Sequence, residues 1–167
     1  MRYKLKVSML KYIFFIAVCL TTLLSCLNEP MFSEIPFIRA ESMTKNFMNQ
    51  ASPGSQDSTL VTIGFEDGDG DIGGDSLGIF IIDTRTNQTD SEFRILEIPI
   101  EGVSNAISGT ISFPIFATCC IYNTGQLPCT PSNPVVDQEV IYEVFINDRA
   151  GNESNRIFLD PIIIRCQ

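Results

Sequence analysis

The apolar residues of this chain come in short alternating runs, and that period of two is what most limits how it can fold. STLVTIGFED (58–67) sets Val61, Ile63 and Phe65 on one face. AISGTISFPIF (106–116) does the same with Ile107, Ile111, Phe113 and Ile115, and EVIYEVFIND (139–148) with Val140, Tyr142, Val144 and Ile146. Successive side chains of a strand point to opposite faces, so each run describes a strand with one buried side. IPFIRAESM (35–43), SLGIFIID (76–83), EFRILEIPI (92–100) and RIFLDPIIIRC (156–166) bring the number of runs to seven, with Gly, Asn, Asp, Ser and Pro between them. Pro161 cannot donate to a ladder, which implies an edge position or a bulge in the last run. No segment after residue 25 carries a helical period. The expectation is one all-β domain of seven strands over residues 35–167.

The first thirty residues have a different logic. MRYKLKVSMLK (1–11) holds Arg2, Lys4, Lys6 and Lys11 and no acid, and YIFFIAVCLTTLL (12–24) is an uncharged apolar run. That run falls short of the roughly 20 residues needed to span a bilayer core. A basic start, a short apolar centre and a small residue at its end describe an export signal over residues 1–25. Leu23-Leu24-Ser25-Cys26 resembles the lipobox of bacterial lipoproteins, those of Bacteroidota type included. The resemblance implies cleavage before Cys26, acylation of Cys26 with chains such as palmitate, and a tether over residues 26–34. Several chains on one residue hold stably, whereas one chain is marginal. It also implies a location in the cell envelope, lipid-anchored at the outer membrane on its periplasmic or surface face. The rival reading is an ordinary secretory signal with an incidental cysteine.

All 20 acidic residues lie beyond Cys26 and four of the 11 basic ones before it, so the mature part carries a net charge of about −13. Such a surface repels nucleic acid. The chain has no histidine, which removes the commonest general base and the commonest transition-metal ligand. It has no tryptophan either. Beyond the signal and Cys26 four cysteines remain: Cys119, Cys120, Cys129 and Cys166. In an exported domain that number points to two disulfides. Zinc is the alternative, but the adjacent pair Cys119-Cys120 lacks the usual two-residue ligand spacing.

Seven short strands in a domain of this size suggest an immunoglobulin-like or fibronectin-III-like β-sandwich. The hydrophobic strand, acidic glycine-rich loop and hydrophobic strand over 58–83, followed by the Asp148-Arg-Ala-Gly-Asn152 turn, resemble bacterial immunoglobulin-like domains. That topology would bring the loop after 58–67 and the turn at 148–152 to one pole, and all four cysteines to the other. Two bridges would then join Cys129 and Cys166 separately to Cys119 and Cys120. Either pairing is open, with a preference for Cys120–Cys129 and Cys119–Cys166. Tyr142 fits a tyrosine corner, a core role.

The acidic loop Glu66-Asp67-Gly68-Asp69-Gly70-Asp71-Ile72-Gly73-Gly74-Asp75 sets five carboxylates within ten residues. They repel one another, and the glycines add backbone freedom that folding must remove. A hard cation offsets both costs, and Ca²⁺ takes six to eight oxygens. The candidate ligands are Asp67, Asp69, Asp71 and Asp75, completed by Asp148 and Asn152. The loop is not an EF-hand, because Ile72 stands where that motif needs glycine and Gly78 where it needs glutamate. The competing reading is a solvated turn. No nucleophile-and-base pair is present, so the expected role is a non-catalytic interaction or structural module held to a membrane by its lipid, with a protein or glycan partner. The alternatives are a calcium-free accessory subunit binding a polysaccharide or protein, and a carboxylate-based hydrolase.

Overall fold

The computed structural model describes residues 32–74, 77–96, 98, 106–123 and 125–167. The export signal over 1–25, Cys26 and tether residues 27–31 lie outside these, as does Asp75. The described residues are all β, with no helix among them. In chain order the strands are β1 (Phe37–Met43), β2 (Phe47–Asn49), β3 (Ser58–Asp67), β4 (Leu77–Asp83) and β5 (Gln88–Arg94). β6 (Ile107–Phe116), β7 (Val136–Val140), β8 (Tyr142–Ile146), β9 (Ile157–Phe158) and β10 (Ile162–Cys166) follow. They form sheets of order β1-β3-β6, β2-β10-β7 and β5-β4-β8-β9. All pairs are antiparallel except β2 with β10.

Ten strands replace the seven expected, and the differences have local causes. The run at 139–148 starts earlier and is interrupted at Ile141, whose carbonyl accepts both the amide and the hydroxyl of Thr84, at 3.2 and 2.8 Å. The last run breaks around Pro161, which has no N–H to give to a ladder. β2 adds a short strand between the runs expected at 35–43 and 58–67. The strand expected over 92–100 instead occupies Gln88–Arg94. A tight turn causes the shift: the Asp83 carbonyl accepts the amides of Thr86 and Asn87, and Asn87 adopts φ 53° to close it.

One core holds these sheets together. Ile38, Val61, Ile63, Phe65, Phe113 and Ile115 from β1, β3 and β6 pack in the same buried cluster as Met48, Ile79, Ile81, Val144, Ile146, Ile162 and Ile164. Burying each such side chain contributes about 1.5–3 kcal/mol. Tyr142 is fully buried as expected, but its hydroxyl has no hydrogen-bond partner, so the corner bond is not made.

β3 and β6 define the long axis. Asp67 pairs with Ile107 at one end, and Ser58 with Phe116 at the other. The acidic loop therefore leaves at one end, and Cys119 and Cys120 follow at the opposite one. The disulfides are Cys119–Cys129 and Cys120–Cys166, with Cα atoms 4.5 and 5.8 Å apart. All four cysteines cluster, but the pairing is the reverse of the preferred one. The reason lies in side-chain direction. Cys166 continues the inward face of Ile162 and Ile164, and Cys120 is likewise fully buried, so these two meet in the core. Cys129 lies in an exposed loop and takes the outward neighbour.

Candidate metal centre

β3 delivers Asp67 to the end of the sheet with the alternation that buries Val61, Ile63 and Phe65, and Asp67 is itself 0% exposed. Its Oδ2 accepts the amide of Asp71 at 2.9 Å, which curls the loop back on itself. Ile72 then drops into the core, 1% exposed, and fixes the loop from below. That explains an isoleucine where a free-standing calcium loop would carry glycine. Gly73 has φ 93°, and a Cβ there would lie 2.4 Å from the Leu96 carbonyl oxygen, so only glycine fits.

Asp67, Asp69 and Asp71 each present an oxygen within 4.8 Å of the others. In each residue Oδ1 is enclosed and has no hydrogen-bond partner. Burial, reinforced by the charges of Asp69 and Asp71, pushes the Asp67 carboxyl up to about 6. Burial also raises Asp71, and the charges of Asp148 and Asp69 raise it further.

The turn after β8 packs against this loop. The Asp71 carbonyl accepts the Arg149 amide at 3.3 Å, and Asp71 Oδ2 accepts the Ala150 amide at 2.9 Å. The two segments read from the sequence as meeting at one pole do meet. Asp148 and Asn152 are bound chiefly to each other: Asp148 Oδ1 accepts the Asn152 amide at 2.7 Å and Oδ2 accepts its Nδ2 at 2.8 Å. They brace the turn that holds Asp71.

Two features escaped the sequence reading. Asn147 carries another enclosed, unpartnered side-chain oxygen in the same turn. Its place beside Asp148 in Phe-Ile-Asn-Asp was the available signal. The second is the start of the domain: the Gly68 amide donates to the Ser33 carbonyl at 2.8 Å. A Cβ at Gly68 would lie 2.4 Å from the Phe32 carbonyl oxygen.

Oxygens separated by up to 4.8 Å can share one Ca²⁺, since ligands on opposite sides of the ion, each at 2.3–2.6 Å, stand about 5 Å apart. An all-oxygen, anionic donor set suits a hard cation rather than a transition metal. An enclosed polar atom without a partner costs about 1–3 kcal/mol, more when charged, so three at one point make a strained cluster unless a cation joins them. Compared with known protein families, curated proteins and solved structures, the chain matches none.

Proposed function

We propose that this chain is an exported lipoprotein, held to a membrane of the cell envelope through Cys26, whose β domain is a non-catalytic interaction or structural module with a pole ordered by Ca²⁺. The observation that carries the cation reading is the convergence of three enclosed, unpartnered carboxylate oxygens from Asp67, Asp69 and Asp71. Asp148 and Asn152 support the site as bracing residues. The remaining ligands of a six- to eight-oxygen shell come from further carboxylate oxygens, carbonyls and water. Among the described residues no nucleophile-and-base pair stands beside the cluster, and the role assigned to the ion is structural.

The finer fold reading is an immunoglobulin-like or fibronectin-III-like sandwich. It is supported by β1, β3 and β6 in one sheet and β5, β4 and β8 in another, with β7–β8 and β9–β10 each acting as one interrupted strand. The anchor reading rests on the lipobox-like Leu23–Cys26. A protein or glycan in the envelope is the partner class that this reading implies.

Thermal unfolding of the full-length protein in detergent, with calcium and with chelator, tests the pole. Calcium at 100 times its dissociation constant adds about 2.7 kcal/mol, a rise of several degrees in the midpoint. An unchanged midpoint sinks the cation reading. Mass spectrometry of the native product tests the anchor: fatty-acid adducts on an N-terminal Cys26 are expected, and an unmodified residue overturns it.

A further inference from the structure

The segment that leads back towards Cys26 is fastened to the candidate cation loop. The Gly68 amide, between Asp67 and Asp69, donates to the Ser33 carbonyl at 2.8 Å. The Ser33 hydroxyl in turn accepts the Ile35 amide at 3.0 Å. Gly68 sits so close to the Phe32 and Ser33 backbone that a Cβ would be 2.4 and 2.8 Å from their carbonyl oxygens. A second fastening lies just beyond, where Asn155 bonds both backbone groups of Ile38, accepting its amide at 2.7 Å and donating to its carbonyl at 2.9 Å.

The strength of the first fastening depends on how firmly Gly68 is held. Its two flanking aspartates repel each other, and both have an enclosed oxygen with no partner. Asp67 is fully buried, so its Oδ1 finds no water either. A shared cation removes that repulsion and fixes the backbone between the two ligands. Without it the repulsion and the unpartnered oxygens on either side of Gly68 remain.

We infer that cation loading of the Asp67–Asp71 loop clamps Phe32–Ile35 onto the domain through Gly68, so that this site controls whether the segment entering β1 is docked or released. The inference rests on the cation reading of the pole. With the clamp open, Phe32–Ile35 are released, while Pro36 stays buried. The second fastening at Ile38 limits the release.

The test is limited chymotryptic cleavage of the full-length protein in detergent, scored after Phe32, with isothermal titration of calcium on the same sample. Cleavage after Tyr122, in the irregular loop at the cysteine end and followed by Asn123, is the internal reference. If opening requires release of the ion, calcium at 100 times its dissociation constant slows cleavage after Phe32 by about 100-fold. The rate after Tyr122 stays constant, and Asp69→Asn removes the calcium effect. Calcium heat together with a cleavage rate after Phe32 that ignores the ion overturns the clamp and leaves the cation site standing. Absence of binding heat removes the site, and the clamp with it.

Discussion

Asp67→Asn is expected to stabilise the protein in chelator and destabilise it, relative to the native chain, in calcium. Asp67 is fully buried, and its carboxyl is pushed up to about 6 from 3.8 by burial and by Asp69 and Asp71. That difference corresponds to about 3 kcal/mol in favour of the neutral form, and burying the asparagine amide in the carboxyl's place offsets about 1 kcal/mol of it, leaving about 2 kcal/mol at pH 7. The asparagine carbonyl keeps the bond from the Asp71 amide, while its Nδ2 gains carboxylate acceptors in Asp69 and Asp71. In chelator at pH 7 the variant therefore melts roughly 5–10 °C higher than the native protein. The sign reverses in calcium, because the variant has lost a charged ligand. The pH dependence carries the same information. A folded-state pKa above the unfolded one contributes stability below about pH 4 that is lost as pH rises through about 6. The advantage of the variant in chelator thus grows across that window and vanishes below it. Calorimetric melts of both proteins at pH 3.5, 5 and 7 decide the matter. A variant less stable than the native chain in chelator at pH 7 would refute the electrostatic argument.

Other perturbations probe the supports of the pole and the far end. Ile72→Ala removes the core plug under the acidic loop and costs about 2–5 kcal/mol, read by urea unfolding; a loss below 1 kcal/mol would mean that the loop is not fastened through the core. Breaking Cys120–Cys166, which spans 46 residues, costs about 4 kcal/mol, against about 3 kcal/mol for Cys119–Cys129 over 10 residues; melts of the two double-serine variants give the order, and equal losses contradict it. Cys26→Ser is expected to move the protein from the membrane to the soluble fraction, and an unchanged distribution on fractionation rejects lipid anchoring.

Much of this fold was legible because burial follows alternation. Val61, Ile63 and Phe65, or Val140, Tyr142 and Val144, announce their strands by spacing alone, and β3 runs over the span expected of it. The boundaries that shifted depend on contacts across the structure: Thr84 capturing the Ile141 carbonyl, and Asn87 closing the turn that starts β5 early. Disulfide pairing was missed because adjacent cysteines face opposite ways, although Ile162, Ile164 and Cys166 share a parity that marks Cys166 as inward. At the candidate site, Asp67, Asp69 and Asp71 could be read directly from a local Asp-Gly repeat. Asp148 and Asn152 were correctly placed at the same pole, but the sequence did not show that they would satisfy each other. The Gly68–Ser33 contact had no sequence signal, since it joins two backbones.

The most direct measurement is diffraction from crystals grown in calcium, with anomalous data collected at long wavelength. The account predicts one calcium peak 2.3–2.6 Å from carboxylate oxygens of Asp67, Asp69 and Asp71. A loop that holds no ion at saturating calcium, with those oxygens turned apart or bonded to water, would contradict it.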